Sequence, residues 1–289
     1  MRWICVGLCL GWWGCGEEAA RGDGADLGQE VGEEDLPVED SAPDAPSPIA
    51  GDPDCDPLIP AVCAMPWPSS LYLAPDPSRE TGVTLTFGAG SLPANRFGVH
   101  VTPEPWRRFD GYGIGSPLMM LFPGLDGAGL PGEEEIARSL EADAAILWFE
   151  VQPDGALSRV PYWAELDAQE ERPDQRALEV WPARLLKPAT RYIAAVRLGL
   201  KDLSGRSFTP SEAFARLRDG ETAGDPQLAP RQARFEEVFA ALEREGVARG
   251  ELLLAWDFNT GSDAAVHKNM LHMVDRGFEA VGDEGPALT

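Results

Sequence analysis

The five cysteines divide this chain before any helix or strand is considered. Cys5 and Cys9 lie in a short apolar leader, Cys15 stands where that leader stops, and Cys55 and Cys63 form a close pair further on. The leader opens with Met1, Arg2 and Trp3, one positive charge ahead of an apolar run from Ile4 to Trp13, and Gly14 supplies the small residue expected before a processing site. The run is about half of the ~20 apolar residues that a membrane-spanning helix needs, so residues 1–14 read as a removable signal peptide. The two cysteines left in the body are an even pair in an oxidising compartment, where disulfides persist. Cys55 and Cys63 are therefore expected to bridge, closing a short loop stiffened by Pro57 and Pro60. Loop closure assigns the bridge ~2–3 kcal/mol, and its place fixes where the chain enters its folded body. Neither a Cys-x-x-Cys spacing nor a nearby histidine favours zinc.

The leader resembles a bacterial lipoprotein signal, in which the cysteine after a small residue is acylated; Trp12 stands where an aliphatic residue is usual. The resemblance implies lipidation at Cys15 and an exported protein held at the bacterial cell envelope by its N-terminal lipid. A secretory peptide cut elsewhere is the alternative. From Glu17 to Asp54 there are thirteen acidic residues against Arg21 alone, half of the formal net charge of −24. Such a stretch buries too little apolar surface to offset the entropy of ordering, and its self-repulsion extends it. Residues 15–54 are thus predicted to be a lipidated cysteine followed by a disordered acidic tether. No Asp-x-Asp-x-Asp-Gly loop singles these acids out for calcium. A sequence pI near 4.4 argues against nucleic acid as a partner.

The remainder has the apolar share of an ordinary globular protein. A proline-dense opening, Met65 to Leu73, leads to a strand in which Val83, Leu85 and Phe87 alternate with threonines. Leu118–Phe122 and Ala145–Val151 are continuous apolar runs that predict buried strands, and Gln152-Pro153-Asp154-Gly155 reverses the second into Leu157–Trp163. Between the two runs, Glu133–Leu140 suits a short helix with acids at its positive end. Leu178–Pro182 and Tyr192–Val196 predict two strands joined through Lys187-Pro188 as a hairpin, closed by the Lys201–Gly205 turn.

Helices are expected through Phe214 and Leu217, from Pro230 to Gly246, and after Thr260-Gly261-Ser262-Asp263, with a buried strand at Leu252–Phe258. In the last helix Val266, Met270, Met273, Val274 and Val281 share a stripe expected to pack into the core. The fold class predicted is α+β: a β-rich immunoglobulin-like sandwich portion over 55–208 with several packed helices, and a helical segment with a strand over 209–289, preceded by the disordered acidic tether.

The hairpin resembles the closing hairpin of bacterial immunoglobulin-like modules. Together with Met65-Pro66-Trp67-Pro68-Ser69-Ser70-Leu71-Tyr72, Arg108-Phe109-Asp110-Gly111-Tyr112 and Leu254-Ala255-Trp256-Asp257-Phe258-Asn259-Thr260-Gly261-Ser262, it resembles the N-terminal, non-catalytic region of bacterial extracellular, virulence-factor-type lipases and related lipoproteins. The resemblance covers most of residues 60 to 275. It implies an accessory region that precedes an α/β-hydrolase domain, whose serine nucleophile sits in Gly-x-Ser-x-Gly.

This chain carries no such motif. Gly113-Ile114-Gly115-Ser116-Pro117 and Gly88-Ala89-Gly90-Ser91-Leu92 both lack the second glycine, and Pro117 removes an oxyanion-hole N–H. Of the three histidines, His267 and His272 lie about 140° apart around a helix and His100 stands alone beside a strand, so no triad is assembled. Asp110, Asp126 and Asp257 are the acids at strand ends or loops that a carboxylate-pair mechanism would use, and a turn or capping role is the favoured reading of each, since Asp is a standard turn residue. Trp67, Trp106, Trp163 and Trp256 suit a sugar or lipid groove or the core. No catalytic residue, metal ligand or cofactor is assigned.

Two functions follow. The first is an accessory region of a lipase or esterase whose α/β-hydrolase domain is cut off after Thr289 or encoded separately. The second is a non-catalytic surface lipoprotein that binds a polymer, a lipid or another envelope protein. A stand-alone hydrolase on an unrecognised site ranks third. A solvent-facing aromatic row would favour binding, and an exposed apolar last helix would favour a missing domain.

Overall fold

With 31 glycines and 26 prolines in 289 residues, the backbone is interrupted every few positions, and strands built from it are short. The computed structural model describes residues 47–282 and Gly285, so the leader, Cys15 and the tether up to residue 46 lie outside the described residues. The first strands are β1 (Leu73–Pro75), β2 (Val83–Leu85) and β3 (Leu118–Met120). They are followed by β4 (Ile146–Val151), β5 (Leu157–Arg159), β6 (Tyr162–Leu166), β7 (Leu178–Pro182) and β8 (Arg191–Arg197). The chain continues through α1 (Glu212–Asp219), α2 (Gln232–Arg244), β9 (Leu252–Asn259) and α3 (Asp263–Val281). Residues 133–140 are a 3-10 turn rather than an α-helix, kinked at Glu135.

The strands form three antiparallel sheets, ordered β1-β2, β3-β7-β6 and β5-β4-β8-β9. The architecture is mixed α+β, as expected, but no sheet closes into a sandwich. In the four-stranded sheet β4, β8 and β9 are buried on both faces, which is why they read as unbroken apolar runs. Successive side chains of β9 go to opposite faces: Asp257 meets Arg234 of α2, whereas the Trp256 indole donates to the Pro68 carbonyl at 2.7 Å. Phe235, Val238, Phe239 and Leu242 bury the inner side of α2 beside Phe214 and Leu217 of α1. Each such side chain contributes about 1.5–3 kcal/mol by leaving water.

The expected hairpin is a correction. β7 and β8 do not pair with each other; β7 lies between β3 and β6, and β8 between β4 and β9. Residues 183–190 carry the chain from one sheet to the other, held by contacts that local sequence does not specify. Arg184 and Lys187 both donate to the buried Glu150 of β4, at 3.0 and 2.6 Å. Leu186 is buried, its N–H on the Ile114 carbonyl.

Described residues on either side of position 208 share one sheet, since β9 hydrogen-bonds along β8. Contacts also reach described residues before Cys55. The Ile49 N–H donates to Asp225 at 2.7 Å and Arg216 donates to the Ser47 carbonyl at 2.9 Å, so the last residues of the expected tether lie on the connection between α1 and α2. Cys55 and Cys63 are joined as a disulfide, with Cα atoms 4.3 Å apart. Inside that loop the buried Asp56 accepts from both Arg231 nitrogens, at 2.8 and 3.2 Å, and from the Ser69 hydroxyl at 2.7 Å.

Candidate functional site

The acids singled out from the sequence are not brought together; each is engaged locally. Asp257, 1 % exposed, accepts from Arg191 at 2.6 Å and pairs with Arg234 at 2.7 Å. Burial alone would raise its carboxyl, but the charges of Arg234 and Arg191 outweigh that effect and hold it below the usual aspartate range. Asp110 is buried and accepts the Ser262 N–H at 2.9 Å. Asp126 accepts the Ala128 N–H at 3.0 Å in an exposed turn. Ionic positions that sequence reasoning missed, Asp56, Glu150 and Arg231, are as firmly engaged; their only local hint is charge at otherwise apolar positions.

Ser116 borders a cavity but makes no hydrogen bond to a histidine or carboxylate among the described residues; its N–H turns back to the Gly113 carbonyl. The Ser91 hydroxyl donates to the Asp54 carbonyl and accepts from the Gly88 N–H, the arrangement of a loop hydroxyl. His100 contacts the Leu92 carbonyl, His267 lies on the Asp263 carbonyl, and His272 is exposed. Among the described residues no group of three or more His, Cys, Asp or Glu is placed to hold a metal ion, and no helix is long and apolar enough to cross a membrane.

What converges instead is apolar. A cavity of about 400 Å³ is walled by Trp67, Leu85, Trp106, Phe109, Tyr112 and Val266. Its aromatic wall is continuous: Tyr112 meets Trp67 edge-on at 4.8 Å, Trp67 stacks on Phe87 at 5.8 Å, and Phe87, Trp106 and Phe109 follow at 6.2 Å steps. The Trp67 backbone exchanges both hydrogen bonds with Met119, and the Tyr112 hydroxyl donates to the Ser69 carbonyl at 2.7 Å. Burial pushes the Tyr112 phenol well above its usual range, so it stays a neutral donor. Gly111 is required here, because a Cβ on it would lie 2.5 Å from the Gly261 nitrogen.

The first turn of α3 closes the cavity, and the rest of α3 is exposed. Ser262 caps the helix by accepting from Ala265, and Asp110 holds the Ser262 N–H in turn. The expected core-packing stripe is overturned: Met270 is 59 % exposed, Met273 59 % and Phe278 68 %, with Leu271, Val274 and Val281 also in solvent. At 100° per residue, Val266, Met270, Met273, Val274, Phe278 and Val281 fall within an arc of about 140°. One apolar band therefore runs from the cavity wall along the helix.

On the three-stranded sheet, Trp163 and Trp181 are directly opposed and stacked, with centroids 5.7 Å apart. Two residues along, Glu165 faces Glu179. Burial, then the like charges of Asp167 and Glu165, raises the Glu179 carboxyl.

No protein-family model matches the chain, and no curated protein matches it either.

Proposed function

We propose that this chain is the accessory, non-catalytic region of an exported, lipid-anchored lipase- or esterase-like protein, with α3 as the surface that receives an α/β-hydrolase domain. The observation that carries the reading is the α3 apolar face. A helix that presents Met270, Met273 and Phe278 to water, yet is capped and anchored at its start, suits a surface that a partner covers. In this reading the sheets are a rearranged relative of the immunoglobulin-like module, with the would-be hairpin strands β7 and β8 on separate sheets, and Cys15 carries the lipid at the bacterial cell envelope.

The test is hydrolysis of short- and long-chain p-nitrophenyl esters by the purified chain beside a Ser116→Ala variant. No turnover is expected. Turnover that survives purification and disappears in the variant would make this a self-sufficient hydrolase. A second reading, a surface module that binds a polymer, is favoured by the stacked Trp163–Trp181 pair, whose parallel rings suit a sugar face; retention on a polysaccharide column that is lost in Trp163→Ala would select it.

A further inference from the structure

The aromatic cavity is a feature separate from the exposed length of α3, although this inference rests on the same described body. Its volume of about 400 Å³ lies within the range of roughly 300–1,000 Å³ typical of small-molecule sites. Ser116 is the one side chain with a hydroxyl in its wall besides Tyr112, and the Tyr112 hydroxyl is already committed to Ser69. A sugar would leave its hydroxyls unpaired there, which is costly. An alkyl chain has no such requirement, and it can continue past Val266 onto the stripe toward Met270, which a rigid ring system cannot do.

The segment that carries Trp106 and Phe109 into the wall also supplies the opposite chemistry. Arg107 and Arg108 lie in sequence between the wall residues Trp106 and Phe109, and the Arg108 guanidinium sits 4.7 Å over the Phe109 ring. Arg79 clamps this segment by donating to the Arg107 and Arg108 carbonyls at 3.0 and 3.2 Å. Arg79 is paired with Asp76. Arg107 and Arg108 are exposed and have no carboxylate partner among the described residues. In a chain of formal net charge −24, two exposed cations with no carboxylate partner among the described residues, one of them lying over a ring of the cavity wall, are an unusual juxtaposition.

We propose that this cavity binds one medium-length acyl chain bearing an anionic head, the chain against Trp67, Leu85, Trp106 and Val266, and the head against Arg107 and Arg108. The anion is a carboxylate or a phosphate, delivered as a free fatty acid or as a single-chain lipid.

Isothermal titration of the full chain with dodecanoate, dodecanoyl lysophosphatidylglycerol and dodecanol tests this. The two anions are expected to bind at one site, and dodecanol about five- to tenfold more weakly, the size of a partly exposed charge-assisted contact. Whichever anion binds more tightly identifies the source. The Arg107→Gln, Arg108→Gln double variant should abolish the preference for the anions while leaving dodecanol unchanged. Ala265, like Val266, lines the cavity, and Ala265→Trp, chosen to fill it, should weaken all three at least tenfold with circular dichroism and melting temperature preserved; Val266→Phe serves the same purpose if Ala265→Trp does not fold. Undiminished binding to a folded cavity-filled variant, equal binding of dodecanol and dodecanoate, or no binding of either anion overturns the proposal.

Discussion

At the scale of single residues the body is held by a few ionic contacts between apolar layers, and Asp257 is the most exacting. Replacing it with Asn keeps one neutral acceptor oxygen but removes the negative charge that Arg191 and Arg234 share on the helix side of the sheet, and urea unfolding should show a loss of about 3 kcal/mol, the range for breaking a buried pair. Because the Asp257 carboxyl is held below its ordinary value, the stability it contributes is present above the usual aspartate range near 4 and is lost as pH falls through the depressed value. Asp257→Asn should therefore flatten the acid limb of a stability-versus-pH curve.

Glu179 has the opposite sign. Its carboxyl is raised by burial and by Asp167 and Glu165, so the contribution of this one group to stability is greatest below the usual glutamate range and is lost as pH rises through the raised value. Glu179→Gln should raise stability at pH 7 by about 0.5–1 kcal/mol, the size of a like-charge cross-strand penalty. The gain should vanish near pH 4; an unchanged melting temperature at both pH values would contradict it.

Among the elements, α3 depends on a latch that spans the chain from Asp110 to Ser262. Asp110→Ala removes the acceptor of the Ser262 N–H and is expected to cost about 1–2 kcal/mol. Hydrogen exchange should accelerate from Thr260 through Val266 while β8 stays protected. The starts of this helix and of α1 were legible locally: Ser211 and Ser262 are both N-caps that accept from the third residue on; the end of α1 at Gly220, with positive φ, was not read in advance. The buried strands were legible as well, since unbroken apolar runs announce burial on both faces. The partnership of β7 and β8 was not legible, because Lys187-Pro188 describes a turn without saying which sheet receives the next strand. The crossover that results is held by contacts to Glu150, more than thirty residues earlier. The role of the α3 stripe was illegible for a related reason: periodicity shows that one face of a helix is apolar, not what covers it.

For the molecule as a whole, the division is between a body with a continuous buried core and an apolar band that extends past it. Met273→Lys with Phe278→Glu should lower the binding of a hydrophobic fluorescent dye and reduce self-association in sedimentation, with a melting temperature shift within the small range of surface substitutions, about ±0.5 kcal/mol in stability. Unfolding of that variant would instead place the α3 face in this chain's own core. The cavity was half legible in advance: its tryptophans stood out, but their assembly with Leu85 and Val266 joins segments distant in sequence.

The latch at Asp110 also has a mechanical consequence. A helix of 19 residues is about 28 Å long at 1.5 Å per residue, and with its root pinned by a buried carboxylate and a serine cap it behaves as a cantilever. A load applied near Val281 reaches the sheet through the root of the helix, where the Asp110–Ser262 bond and the close Gly111–Gly261 approach lie. Anything seated along α3 is thus held at a set angle to the aromatic cavity, and loosening that root would change orientation before it changed affinity.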